Sequence, residues 1–115
     1  MKTFIATFLV LFLSIPTAMA GSVTGKGVWC PKDDVIEESF GFWFEEEKAL
    51  KIFLKGYVVS TDDYNYQEET NVIVIGVDWT LDRRTLMLSI LNKFDQQCYL
   101  ATSYDELVQK LEDIS

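Results

Sequence analysis

Apolar and polar positions alternate along much of this chain with a period of two, which predicts strands more often than helices. The stretch that organises the rest is Val72 to Leu91, where two apolar runs rich in β-branched residues flank the polar tripeptide Asp82-Arg83-Arg84. Runs joined by so short a break predict an antiparallel hairpin. Its first strand, Val72 to Val77, is apolar on both faces and is expected to be central and covered twice, with Gly76 marking a bulge or a close approach. Its second strand alternates Leu86, Leu88 and Ile90 with Thr85, Met87 and Ser89.

Upstream, Phe40, Phe42 and Phe44 alternate with Gly41 and Trp43, and Leu50, Ile52 and Leu54 alternate with Lys51, Phe53 and Lys55. A turn at Glu45-Glu46-Glu47-Lys48 joins them into a second hairpin, with the phenylalanines expected to face the same core as Leu50, Ile52 and Leu54. Val28-Trp29-Cys30 reads as a short first strand stopped by Pro31, after a flexible lead-in from Gly21 to Gly27. Lys32 to Glu38 is a charged connection, and Tyr57 to Val59 extends the Leu54 strand or starts another. Ser60 to Asn71 is the most polar stretch and is expected to be a loop, and Gln96 to Ala101 a final strand.

Only the C-terminus has helical spacing. Tyr104, Leu107, Val108, Leu111 and Ile114 share one face, and Ser103 with Glu106 has the spacing of a capping box. That face must dock, and the sheet face carrying Trp43, Phe53 and Met87 is the expected place. The fold class is therefore mainly β (α+β). It is an antiparallel meander of five to seven strands, curved or closed into a small barrel, with one C-terminal helix packed on it.

The first twenty residues change where this domain is expected to work. Lys2, an apolar run from Phe4 to Leu13, and small residues at Ala18 and Ala20 match a signal peptide cleaved before Gly21. The run is about half of the roughly 20 residues that a spanning helix needs, so no stable membrane anchor is expected. Residues 1–20 are read as the leader and 21–115 as one small domain, exported to the periplasm or the medium. Nine basic residues then face eighteen acidic ones, a formal charge of −9. Such a polyanion repels phosphate backbones and anionic headgroups, which argues against nucleic-acid and membrane-surface partners and leaves a basic partner open, although many exported proteins are acidic simply to stay dispersed. The two cysteines, Cys30 and Cys98, are expected to form a disulfide, which an oxidising compartment would preserve.

Candidate chemistry narrows the picture further. The chain has no histidine, which removes the commonest general base, the usual nucleophile pairs and the usual zinc ligand. Carboxylate-pair glycosidases survive as a class, but Glu45, Glu46 and Glu47 lie at a turn, and so small a domain leaves little room for a sugar cleft. Asp33, Asp34, Glu37 and Glu38, and likewise Asp62, Asp63 and Asn65, lack EF-hand spacing and its turn glycine. Gly25-Lys26 lacks the first glycine of a phosphate loop. No catalytic residue, cofactor or metal is expected. Aromatic residues are numerous, and Trp43, Phe53, Tyr57, Tyr64 and Tyr66 form the candidate binding surface, the first two weighed against burial beneath the helix. Arg83 and Arg84 read as a charged turn.

The early Cys30, the strand Phe40-Gly41-Phe42-Trp43-Phe44, the strand start Asp82-Arg83-Arg84-Thr85-Leu86, Cys98 and the closing helix resemble a group of small exported bacterial proteins with two cysteines. The resemblance covers most of the mature chain and implies an exported β-rich domain with no activity attached. Small β-barrel lysozyme inhibitors of the periplasm are similar in size and cysteine placement, but their Ser-Gly-x-x-Tyr signature is absent here. Three function classes follow. The first is a non-catalytic exported binding protein, inhibitor-like toward a basic protein such as a lysozyme. The second is a carrier of a small hydrophobic ligand, and the third an enzyme using carboxylates alone.

Overall fold

The computed structural model describes residue 19 and residues 21–33, 38–55 and 58–114. The rest of the expected leader, residues 34–37 and Tyr57 lie outside the described residues, and no described helix is long and apolar enough to cross a membrane. Among the described residues the chain forms nine strands and one helix. The strands are β1 (Lys26–Cys30), β2 (Phe40–Phe44), β3 (Lys48–Lys55), β4 (Val58–Glu68), β5 (Val72–Ile75), β6 (Trp79–Asp82), β7 (Met87–Ile90), β8 (Phe94–Gln97) and β9 (Tyr99–Ala101), followed by helix α1 (Tyr104–Ile114).

All the strands pair antiparallel in the order β8-β7-β6-β5-β4-β3-β2-β1-β9. The two edge strands, β8 and β9, are consecutive in the chain and separated only by Cys98. One extended segment therefore pairs with β7 through its first half and with β1 through its second, and the meander curls into a nearly closed barrel. β4 makes the opposite corner, pairing with β3 through Val58 to Asn65 and with β5 through Tyr66 to Glu68. Strands that change sheets at corners are how orthogonally packed sheets enclose a core.

The Cys30–Cys98 disulfide, with a Cα–Cα distance of 4.2 Å, ties the end of β1 to the point where β8 gives way to β9. Closing a loop of 68 residues removes unfolded-state entropy worth about 4 kcal/mol in the chain-entropy model. Buried Gln96 reinforces the same junction, its amide donating to the Pro31 carbonyl at 2.7 Å.

Packing separates two apolar layers. Phe40, Phe42, Phe44, Ile73, Ile75, Leu81 and Leu88 fill the barrel interior, whereas Ile52, Ala101, Leu107 and Leu111 lie between the outside of the sheet and α1. The helix begins as its capping spacing predicts, with the Glu106 N–H donating to Ser103 Oγ at 3.1 Å. Gly27 and Gly41 leave space for it: a Cβ on Gly41 would stand 2.5 Å from Leu107 and 2.7 Å from the Val28 carbonyl oxygen. Burial of Leu107 and Leu111 contributes roughly 1.5–3 kcal/mol each.

The described residues form nine strands rather than the expected five to seven, and four further expectations are corrected. The β2–β3 register sets Phe42 opposite Lys51 and Trp43 opposite Leu50. The phenylalanines therefore share the interior with Ala49, Lys51 and Phe53, while Leu50, Ile52 and Leu54 lie beneath the helix with Trp43. A shift of one residue exchanges every side chain between faces, and apolar residues on both faces left the sequence without a preference. The stretch from Val72 to Leu91 holds three strands, because Gly76 (φ 57°) turns the chain inside the first apolar run. Ser60 to Glu68 belongs to β4, its polar residues lying on an exposed corner strand. The lead-in is anchored: Val23 is buried, its N–H donates to Glu68 Oε1 at 2.8 Å, and Gly25 N–H donates to the Phe44 carbonyl at 2.8 Å.

Candidate functional site

Alternating turns place the β3–β4, β5–β6 and β7–β8 connections at one end of the barrel, and this end carries an aromatic mouth. Lys51, facing inward from β3, holds its ammonium 4.9 Å from the Phe40 ring centroid and 5.6 Å from those of Phe53 and Trp79. Each distance is within cation–π range. Trp79 also packs edge to face on Tyr64 at 4.8 Å and on Phe42 at 5.4 Å, so the rings form one continuous cluster. The cage residues come from β2, β3, β4 and β6 and meet only because the barrel closes.

Carboxylates surround this cluster. Glu38 lies 3.9 Å from Lys51 Nζ, with the lysine side chain 16% exposed and the glutamate 55%. Burial raises the Tyr64 phenol above its ordinary value, and the negative charges of Asp62 and Asp78 push it further in the same direction. The mouth thus sets one cation among rings and three acidic groups.

The rim is apolar. Val77 in the β5–β6 turn is 97% exposed, and Val58, Leu91 and Phe94 are exposed at the same end. Leu91 (φ 55°) and Asn92 (φ 54°) form a tight β7–β8 turn, and the Leu91 N–H donates to the Asp78 carbonyl at 2.8 Å, joining the two turns. A leucine in the left-handed region is uncommon and costs on the order of 1 kcal/mol. Its exposed side chain recovers little of that by burial within the chain.

The other end is plugged. Asp82 Oδ1 accepts from the N–H groups of Thr85 (2.9 Å) and Arg84 (2.8 Å), which fixes the β6–β7 turn and holds the Asp82 carboxyl below its usual value. That turn sends Arg84 outward and Arg83 inward. Arg83 is 8% exposed. Its guanidinium donates to the Met19 carbonyl from Nε (3.1 Å) and Nη2 (2.8 Å), to the Glu69 carbonyl from Nη1 (2.8 Å), and to the Gly21 carbonyl. Arg83 is therefore a clamp on the N-terminal segment, and reading it as part of a charged turn is corrected. Short local patterns give no signal that separates it from Arg84.

The sequence-derived surface residues are dispersed. Trp43 packs edge to face on Tyr104 of α1 at 5.9 Å. Phe53 lies on the opposite face of the sheet, in the Lys51 cage rather than beneath the helix. Tyr64 joins that cage, whereas Tyr66 packs on Phe44 and donates its hydroxyl to the Glu45 carbonyl, bracing the β2–β3 turn. Tyr57 lies outside the described residues. The structure thus brings together Phe53 and Tyr64 alone of the set, and adds Phe40, Lys51 and Trp79. The available signal for Lys51 was its place between Ala49 and Phe53 on one face of a strand opposite three phenylalanines.

Glu45, Glu46, Glu47 and Lys48 line a shallow open depression away from the mouth, and all four are exposed. No group of three or more His, Cys, Asp or Glu among the described residues is placed to hold a metal ion.

Fold and mouth together define a disulfide-tied antiparallel β-barrel with a helix on its outer face, plugged at one end and aromatic at the other. Protein-family models, curated proteins and solved structures contain no match to this chain.

Proposed function

We propose that the protein is an exported, non-catalytic binding domain that presents the aromatic mouth of its barrel to a basic protein. The observation that carries this reading is the charge balance of the mouth, where the one ammonium of Lys51 over Phe40, Phe53 and Trp79 is outnumbered by the carboxylates of Glu38 beside it and of Asp62 and Asp78 beside Tyr64, which leaves a negative surface among aromatic rings for a basic partner. Exposed Val77, Leu91 and Phe94 supply the apolar contacts that an interface centre needs. The acidic charge of the chain would draw a basic partner toward it. Export is supported by the leader-like first twenty residues and by the Cys30–Cys98 disulfide.

A barrel interior occupied by Phe42, Phe44, Ile73, Ile75, Leu81 and Leu88 favours surface recognition over carriage of an internal ligand. The most concrete form of the proposal is inhibition of a basic lysozyme. Its test is a cell-wall lysis assay with the purified exported protein, alongside a Val77→Glu, Leu91→Glu double variant. Inhibition that weakens with salt and is lost in the variant is expected. Undiminished lysis with the unmodified protein removes the lysozyme form, and equal inhibition by the variant removes the mouth as its site.

A further inference from the structure

Met19 occupies its end of the barrel as a residue of a bound peptide would. The Met19 side chain is fully buried in the core cluster, its N–H donates to the Arg83 carbonyl at 3.0 Å, and its carbonyl accepts from Arg83 Nε and Nη2. The Arg83 guanidinium has carbonyl partners only and no salt bridge among the described residues. A buried cation neutralised by carbonyl dipoles alone is a strong site for an anion.

The next step rests on the export reading. Cleavage before Gly21 removes Met19 and with it two of the four guanidinium hydrogen bonds. It also creates an α-ammonium on Gly21, the residue whose carbonyl Arg83 still holds. Two cations are then left within one residue of each other beside an emptied apolar slot. The groups that Met19 used are an apolar side chain, an amide N–H and a carbonyl oxygen facing a guanidinium. The carboxyl-terminal residue of a peptide offers the same three, with a carboxylate in place of the carbonyl. We propose that the slot vacated by Met19 in the exported protein binds the carboxyl-terminal residue of a peptide, its apolar side chain in the core and its carboxylate on Arg83. Capture of a chain-end carboxylate by a fixed donor array is an established mode of peptide recognition.

The experiment uses the full 115-residue chain, expressed with its own leader in a bacterium and recovered after export without reductant. Intact mass gives the first residue and the state of the disulfide. The 15N-labelled protein is then titrated with N-acetyl-L-methionine, with N-acetyl-L-methioninamide and with hexanoate, following the Arg83 Nε–H resonance. Saturable movement with N-acetyl-L-methionine is expected. The amide should bind about tenfold more weakly, the loss typical of a hydrogen bond to a charged group. Hexanoate, which lacks the amide N–H, should also bind more weakly, and Arg83→Lys should lower affinity for N-acetyl-L-methionine by a similar factor. A disulfide-bonded chain beginning at Gly21 whose Arg83 resonance ignores the methionine probe overturns the peptide slot while leaving export standing. Equal binding of hexanoate also overturns the peptide assignment. A product that retains Met19 overturns the cleavage on which the slot depends.

Discussion

The barrel holds one inward-facing cation toward each end, buried Arg83 and partly exposed Lys51, and the two are held by different chemistry. Arg83, at the plugged end, directs four hydrogen bonds from a planar fork to three backbone carbonyls. Lys51, at the mouth, lies over three aromatic rings with one carboxylate 3.9 Å away. The first arrangement is directional and ties together segments distant in the chain. The second has no fixed fork, because ring faces attract a charge over a broad range of positions. The contrast separates a directional clamp from a cluster held by less directional attraction.

Breaking the plug should have the largest effect. In the chain that retains Met19, Arg83→Met leaves the buried Met19 carbonyl and the partly buried Glu69 carbonyl without these donors and is expected to cost about 3 kcal/mol, the loss of a largely buried polar network. Urea unfolding, read as a lower midpoint at unchanged slope, measures it. A loss below about 1 kcal/mol would mean that Arg83 is no better anchored than a surface residue and would erase the contrast.

These two cations also mark where the sequence was legible. Period-two stripes located β2 and β3, and the capping signal at Ser103 located α1, because both depend on residues close in the chain. Pairing register depends on residues far apart, and with apolar side chains on both faces of β2 and β3 the pattern could not assign Lys51 to the interior. Gly76 is read from the sequence as a bulge or a close approach, yet it turns the chain and creates β6, which supplies Trp79 to the mouth. The anchoring of Val23 and Met19 was hidden because their partners, Glu68 and Arg83, are 45 and 64 residues away. A local, solvated reading suits Arg84 and fails for Arg83, and nothing short of the closed barrel distinguishes them.

The mouth can be tested through its strained turn. Leu91→Gly removes an exposed side chain and lets a residue without a Cβ take the left-handed conformation. The expected result is a gain of about 1 kcal/mol in stability, seen as a higher thermal midpoint, together with weaker binding of a basic partner. Stability gained where binding is lost is the usual mark of a residue retained for function. A variant that loses stability would instead show that Leu91 packs within the fold and is not presented at the rim.

The smallest effect is expected where the contrast is sharpest. Lys51→Met exchanges the ammonium for an apolar group of similar length in the same aromatic surroundings. The cation–π attraction is worth about 1 kcal/mol at a partly exposed position, and the contact with exposed Glu38 adds at most about as much. Methionine returns much of this, because thioethers pack well on rings and the charge no longer has to be desolvated. The net change in unfolding free energy should therefore stay within about 1 kcal/mol, against about 3 for Arg83→Met. Trp79 fluorescence should change all the same, since its ring loses the ammonium 5.6 Å from its centroid. If Lys51→Met proves as damaging as Arg83→Met, Lys51 is a second structural clamp, the mouth is as fixed as the plug, and the case for a receptive surface at that end fails.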